Sequence, residues 1–517
     1  MTVNLHPPVG QSSAWLRIAL VGVLLPMIAI LVGVLSASAN PLLIAPIVGG
    51  ILGAGLMMRP KVAFWIGVVG ALLVAGPLVQ FQPPEMARSS WLFAAVNLML
   101  LGYSVLLILV RRDTLNLQPP AYAALVLLGY ALVITLWLSP TIGPVFAGFK
   151  RYYQSIGIMF ALAVLPFTFD DIVKLRRVLI IAVFAQLPFA IYQLLVWVPA
   201  RRGMGFGVVP IDAVSGTFEA NFYGGGSSSV MAFLLVMAAA YLVKRWLSGG
   251  LKTSRFLLYL PIACAPLAMG ETKIVVVILP VAILLALRLE LMERPFRGAL
   301  IIGFTGAATV LLGYVYLLIM TPHGQSLWRG VEGAIAYNFG DAPYAAGRIM
   351  LNRTTALTFW WDQQSWSDPL AAAFGYGLGA SYDGEGSLVP GYLARRYPNM
   401  GIGLTTATTV LWDLGAVGFT LLTLVFVLSW RCVRKAVQRH RGTRFGAMLC
   451  VVEAGIVVDF ILLFYSDASV SRPSQGAIEA LLFGLAMLGC RLPRQELPAA
   501  ASPPRGHVEL ARPAVRP

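Results

Sequence analysis

The chain has 517 residues, 58% of them hydrophobic and 12% charged, with a mean hydropathy of +0.79. A charged fraction so far below the roughly 25% of soluble domains excludes an ordinary globular enzyme. The net charge of +16 invites a nucleic-acid reading, but the basic residues are distributed along the chain as membrane topology distributes them.

From the N-terminus onward, apolar windows recur near the roughly 20 residues needed to cross a bilayer. They predict fourteen spans, at 15–36, 41–57, 62–80, 91–110, 121–138, 154–168, 178–199, 226–243, 256–269, 274–287, 298–320, 406–428, 446–466 and 476–490. Each must be a helix, because an unpaired backbone group in hydrocarbon costs several kcal/mol. The expected class is an all-α polytopic membrane protein. Helices 1–11 fall in residues 1–320, a large polar loop in 321–405, helices 12–14 in 406–490, and a disordered tail in 491–517. Ala37-Ser38-Ala39 is similar to a signal-peptidase site, but the apolar stretch before it is long for a signal and reads as an uncleaved first span.

Lys/Arg clusters alternate with the spans: Arg59 and Lys61, Arg111 and Arg112, Lys174 to Arg177, Lys244 to Arg255, Arg288 to Arg297, Arg431 to Arg444. With Arg17 and the tail, 26 of the 38 basic residues lie on one side and 12 on the other. The positive-inside rule makes that richer side cytoplasmic, puts both termini there, and places the 321–405 loop outside. Cys264, Cys432, Cys450 and Cys490 fall in spans or on the cytoplasmic side, with neither a disulfide framework nor zinc spacing. No P-loop, GxGxxG, HExxH or GxSxG occurs, so no cofactor or metal is expected.

The loop concentrates chemistry. Between Thr321 and Thr405 it carries six tyrosines, four tryptophans and five arginines, among them Arg348 and Arg353. Trp360 and Trp361 suit a glycan-stacking groove and a loop core equally. Other outer segments add Lys150-Arg151, Arg201-Arg202 and Lys273, against the positive-inside bias. Arginine forks grip diphosphates bidentately, so these cations point to an anion site; pairing with Asp212, Glu219, Glu271, Asp341, Asp383 or Glu385, or with lipid headgroups, is the plain alternative. Gly224-Gly225-Gly226 opens a span, where bare N–H groups cradle an anion or small residues let helices approach.

The order of these segments resembles the O-antigen ligase and Wzy-type polysaccharide polymerase superfamily over roughly residues 150–430. The segments are SGTFEANFYGGGSSSVMAFLLVMAA from Ser215, Gly270-Glu271-Thr272-Lys273, GRIMLNRTTALTFWW from Gly347, DPLAAAFGYGLGASY from Asp368 and LWDLGAVGFTLLTLVFV from Leu411. The resemblance implies a GT-C-like helical bundle in a bacterial inner membrane. It further implies a metal-independent glycosyltransferase moving glycan from undecaprenyl diphosphate to an acceptor glycan at the periplasmic face. Arg348 matches the family's loop arginine and Lys273 its Ser-Arg position, the two expected catalytic cations; Arg151, Arg202, Arg353, Gly224, Gly225, Trp360 and Trp361 are expected to bind substrate. Implied partners are the lipid-linked oligosaccharide, the growing polysaccharide, membrane lipids, a flippase and a chain-length regulator, with no nucleic acid.

One position departs from the family. Its His-Asn pair lies about nine residues before the acidic position, here Asp413, and that count lands on Leu404-Thr405. The general base is therefore unassigned, with His323, Glu271 and Asp383 as options. Two other functions stay open: ligase-type transfer to a different acceptor, and a flippase or secondary transporter using Asp413, Glu453, Asp459 and Glu479 within the last spans.

Overall fold

A computed structural model describes residues 53, 55–81, 91–111, 116–138, 142–204, 210–219, 222, 227–270, 272–293, 295–320, 326–340, 344–345, 348–349, 351–364, 368–384 and 389–494. The first two predicted spans fall largely outside these residues, and the 491–517 tail mostly so.

The described chain is helical apart from one two-residue antiparallel pair, Tyr344–Ala345 with Arg348–Ile349. In order the helices are α1 (Pro60–Phe81), α2 (Trp91–Val110), α3 (Pro119–Leu138), α4 (Ile142–Tyr153), α5 (Ile156–Val164), α6 (Phe169–Arg201), α7 (Ser228–Leu247), α8 (Thr253–Met269), α9 (Val275–Ala286) and α10 (Arg288–Glu293). There follow α11 (Pro295–Met320), α12 (Leu327–Phe339), α13 (Arg353–Gln364), α14 (Pro369–Phe374), α15 (Tyr392–Arg396), α16 (Thr406–Arg439), α17 (Arg444–Leu462), α18 (Ala468–Ser471) and α19 (Pro473–Arg491). Eight are long and apolar enough to cross a membrane: α1, α2, α3, α6, α7, α16, α17 and α19. α8, α9 and the Gly298–Leu311 stretch of α11 are shorter apolar helices.

Two predicted spans change character. The span expected at 154–168 is α5, nine buried residues that reach only about 14 Å at 1.5 Å per residue. It is core of the bundle, packed between α2 and α19. The span expected at 406–428 belongs to a 34-residue helix, about 51 Å long and so well beyond a bilayer core of about 30 Å. It is broken at Gly415, whose φ of 68° and ψ of −171° are not helical. The stretch 406–414 is therefore a separate helical piece, and 416–439 alone is long enough to cross a bilayer core.

Charge sorts the bundle into two ends. At one end Lys61 pairs with Asp171 (2.9 Å), Lys244 with Glu290, Arg288 with Glu453 (2.9 Å), and Arg441 with Glu293. Arg491 donates there to the carbonyls of Ala163 and Leu165, and Arg439 to that of Cys490. This is the end the sequence assigns to the richer basic clusters. At the opposite end, the described residues of 351–405 fold over the 406–414 piece around a small core of Leu351, Ala356, Trp360, Leu393, Ile402 and Trp412.

The Ser215-Gly216-Thr217 segment is drawn into that end between α1, α6 and α7. A π turn at Gln193–Trp197 turns Gln193 inward, where its Oε1 accepts the N–H groups of Ser215 (3.0 Å) and Gly216 (2.9 Å). Gln186 does the same for Thr217, accepting its N–H at 2.9 Å and donating to its hydroxyl at 2.7 Å. Two buried glutamines thus satisfy a loop that would otherwise leave bare amides in an apolar interior.

Candidate functional site

The site is built around the break in α16. A helix interrupted in an apolar interior leaves carbonyls to be satisfied from elsewhere. Here the glycine-rich turn after α14 does it: Gly377 donates its N–H to the Asp413 carbonyl (2.8 Å), and Tyr376 to those of Trp412 (3.1 Å) and Asp413 (3.2 Å). The Tyr130 hydroxyl of α3 donates to the Leu414 carbonyl at 2.8 Å. Only glycine fits the contact, since a Cβ on Gly375 would sit 2.5 Å from both the Asp413 carbonyl oxygen and the Gly415 nitrogen. The same turn closes on α4, where a Cβ on Gly148 would lie 2.3 Å from the Gly379 nitrogen.

This interlock fixes the side chain of Asp413, which is 2% exposed. Its Oδ1 accepts the Ser381 N–H (2.9 Å); its Oδ2 accepts the Gly379 N–H (3.2 Å) and the Tyr152 hydroxyl (3.3 Å). Tyr152 and its neighbour Arg151 end α4. The Arg151 guanidinium stacks 4.5 Å from the centre of the Tyr382 ring and makes no ion pair among the described residues. Arg151 and Tyr152 line a partly open cleft of about 80 Å3 between α3, α16 and α19. Its walls are apolar (Leu127, Leu128, Val410, Leu414, Val425, Phe483), and Thr406, Ser469 and Glu479 add polar groups.

Beside it lies a second polar cluster. Glu219, buried and at a positive φ of 33°, accepts the Ser474 hydroxyl. Burial pushes its carboxyl above the ordinary value, opposed by the Ser474 bond and by the nearby charges of Arg472 and Lys150. Lys150 also lies 4.8 Å from the Trp91 ring centre.

The structure brings some expected residues toward this end and separates others. Arg353 donates to the Tyr465 carbonyl (2.6 Å) and stacks 4.0 Å over its ring. The next residue, Ser466, takes the Ser229 hydroxyl at 3.3 Å, and its carbonyl takes that of Thr406, which lines the cleft. Lys273 follows Thr272, whose hydroxyl donates to the Ser228 carbonyl of α7 at 3.3 Å. Arg202 is exposed at the end of α6, away from the cleft lining. Of the two tryptophans, Trp360 is buried in the small core around Trp412 at 8% exposure, and Trp361, at 62%, offers its ring to the surface. Arg348 is described in its strand backbone alone, paired with Ala345. Gly224, Gly225, Glu271 and His323 lie outside the described residues.

Sequence reasoning passed over Tyr152 and Tyr130, and took Tyr382 only as one of the six loop tyrosines. Tyr152 stands just before the predicted span at 154–168, where belt aromatics are expected, and Tyr130 lies mid-span at 121–138, where a tyrosine reads as packing. The residue that distinguishes Tyr152 is Asp413, 261 positions away. No protein-family model matches the chain, and no curated protein matches it.

Proposed function

We propose that the chain is a membrane-embedded glycosyltransferase that moves a saccharide from undecaprenyl diphosphate to an acceptor glycan, polymerising repeat units at the periplasmic face of a bacterial inner membrane. One observation carries the reading. Arg151, a guanidinium without an ion pair among the described residues, lines a mainly apolar cleft between helices of the bundle. An isoprenoid diphosphate has that polarity, a long apolar chain ending in concentrated negative charge. A planar guanidinium takes two diphosphate oxygens at once. Its charge helps most as the bond to the sugar breaks and electron density builds on the leaving oxygen. The stacked Tyr382 ring holds the fork in place, so little reorganisation is needed when that charge develops. Arg353 and Lys273, on neighbouring segments of the same end, supply further cations for the glycan-diphosphate.

A secondary transporter is the competing reading, favoured by the broken helix at Gly415. Against it, Glu453, one of the four carboxylates a proton path would use, is held by Arg288 at 2.9 Å and Arg434 at 3.7 Å. Cells lacking the protein discriminate the two. A polymerase predicts intact single repeat units accumulating on the outer face with no polymer; a transporter predicts units trapped on the cytoplasmic side.

A further inference from the structure

A glycosyl transfer needs a group to take the proton of the attacking hydroxyl. We propose that Tyr152, backed by Asp413, takes it, an assignment that rests on the transfer reaction above.

The geometry is that of a relay with one open end. The Tyr152 hydroxyl spends its hydrogen on Asp413 Oδ2 at 3.3 Å, which leaves the phenol oxygen's lone pairs as an acceptor in the cleft that Tyr152 lines. Asp413 cannot swing away, because its two oxygens are held by the N–H groups of Ser381 and Gly379. Both donors belong to the turn locked into the α16 break. Arg151, one residue earlier, lines the same cleft. A single helix end therefore presents a cation for the leaving diphosphate and an acceptor for the incoming hydroxyl. A bond of 3.3 Å is loose, and such bonds tighten when a substrate closes on them.

In the step, the acceptor oxygen forms its bond to the anomeric carbon as its proton passes to Tyr152 Oη. The phenolic proton moves to Asp413 Oδ2 in the same motion. The bond from the anomeric carbon to the diphosphate oxygen breaks, and its electron pair stays on the diphosphate against Arg151. Tyr152 ends as it began, a neutral phenol, and Asp413 holds the proton until water removes it.

The charged and titratable groups near the pair are Arg151 on its own helix, Asp413 on α16, and Asp383 in the loop beyond Tyr382, within electrostatic reach of Arg151. Glu479 of α19 lines the same cleft and is the rival base. It is bonded to the Ser469 hydroxyl and faces a second buried carboxylate, Asp459. No backbone donors comparable to those on Asp413 fix it among the described residues.

The test uses the full chain in lipid nanodiscs with an undecaprenyl-diphosphate oligosaccharide, measuring equilibrium binding and single-turnover transfer across pH. Tyr152→Phe should bind the donor as wild type does, transfer about 100-fold more slowly, and lose the acidic limb of the pH–rate profile. Asp413→Asn should share that profile if it folds, but Tyr152→Phe decides alone. Transfer by Tyr152→Phe within a few fold of wild type, with an unchanged profile, overturns the assignment. So does loss of the acidic limb in Glu479→Gln with Tyr152→Phe unaffected. A wild-type protein that binds the donor but transfers nothing overturns the transfer reading itself, and the relay with it.

Discussion

Replacing Gly415 with alanine tests whether the break in α16 organises the end of the bundle that holds residues 406–414. Its φ of 68° with ψ of −171° is a backbone region that only glycine adopts without strain, at a cost of about 1–3 kcal/mol for other residues. The new Cβ would stand 2.4 Å from the Ala373 carbonyl oxygen and 2.6 Å from the Gly375 nitrogen. Both are backbone atoms, so the turn itself must move. Moving it lengthens the bonds from Gly377 and Tyr376 to the Asp413 carbonyl, 2.8 and 3.2 Å in the intact fold, each worth about 1 kcal/mol net. The sum is a loss of roughly 3 kcal/mol or more, read as a lowered thermal midpoint of the detergent-purified protein by size-exclusion fluorescence. Gly129→Ala is the control. It lies on the exposed side of α3 with nothing within 4 Å of an added Cβ, so alanine should be neutral or stabilising there by about 0.5–1 kcal/mol. A Gly415→Ala protein as stable as wild type would refute the interlock.

Glu219 should give a pH-dependent signature. Its carboxyl is pushed up mainly by burial, so the folded state favours the protonated form; that contribution is complete below the ordinary carboxylate range and is lost as pH rises through the raised value. Glu219→Gln, neutral throughout, should match wild type near about pH 4 and exceed its thermal midpoint near about pH 8, and the reverse order would contradict the assignment. Cys432 and Cys490 bring their sulfurs to 3.0 Å across α16 and α19. Mild oxidation should cross-link these two and leave Cys264 and Cys450 reactive to maleimide in the unfolded chain; a mixture of other pairings in mass spectra would show that the helices do not meet as described. Glu453→Leu removes a carboxylate and strands Arg288 at 23% side-chain exposure, so it should destabilise, whereas Glu453→Leu combined with Arg288→Met should recover much of the loss; a double variant no better than the single one counts against a direct pair.

Much of the helical layout was legible because the apolar runs are bounded by polar residues. The span at 91–110 coincides with α2, and 256–269 differs from α8 only at its start. Misreadings came where length in residues did not report three-dimensional role. Residues 156–164 are as apolar as a span but too short to be one, and their burial depends on α2 and α19 folding around them. Gly415 lies inside the stretch 406–428 read as one unbroken span, because its break is enforced by a turn 40 residues earlier that no local pattern reveals. In the site, positive-inside reasoning singled out Arg151 from its location alone, since a cation on the poorer side of the bilayer asks for a reason. It placed Arg202 on the same grounds, and Arg202 stands apart. Trp360 and Trp361 are neighbours on α13 with opposite fates, one in the core and one exposed, because a helix turns by about 100° per residue. Asp413 was visible as an intramembrane carboxylate, but its tie to Tyr152 crosses the whole fold.

The most direct test of the central claim is native mass spectrometry of the purified protein with undecaprenyl diphosphate, comparing wild type with Arg151→Gln. The cleft reading predicts a stoichiometric lipid adduct on wild type that resists competition by a neutral polyprenol, and its loss in Arg151→Gln. Equal retention of the diphosphate lipid by both proteins, or no preference over the neutral polyprenol, would contradict it.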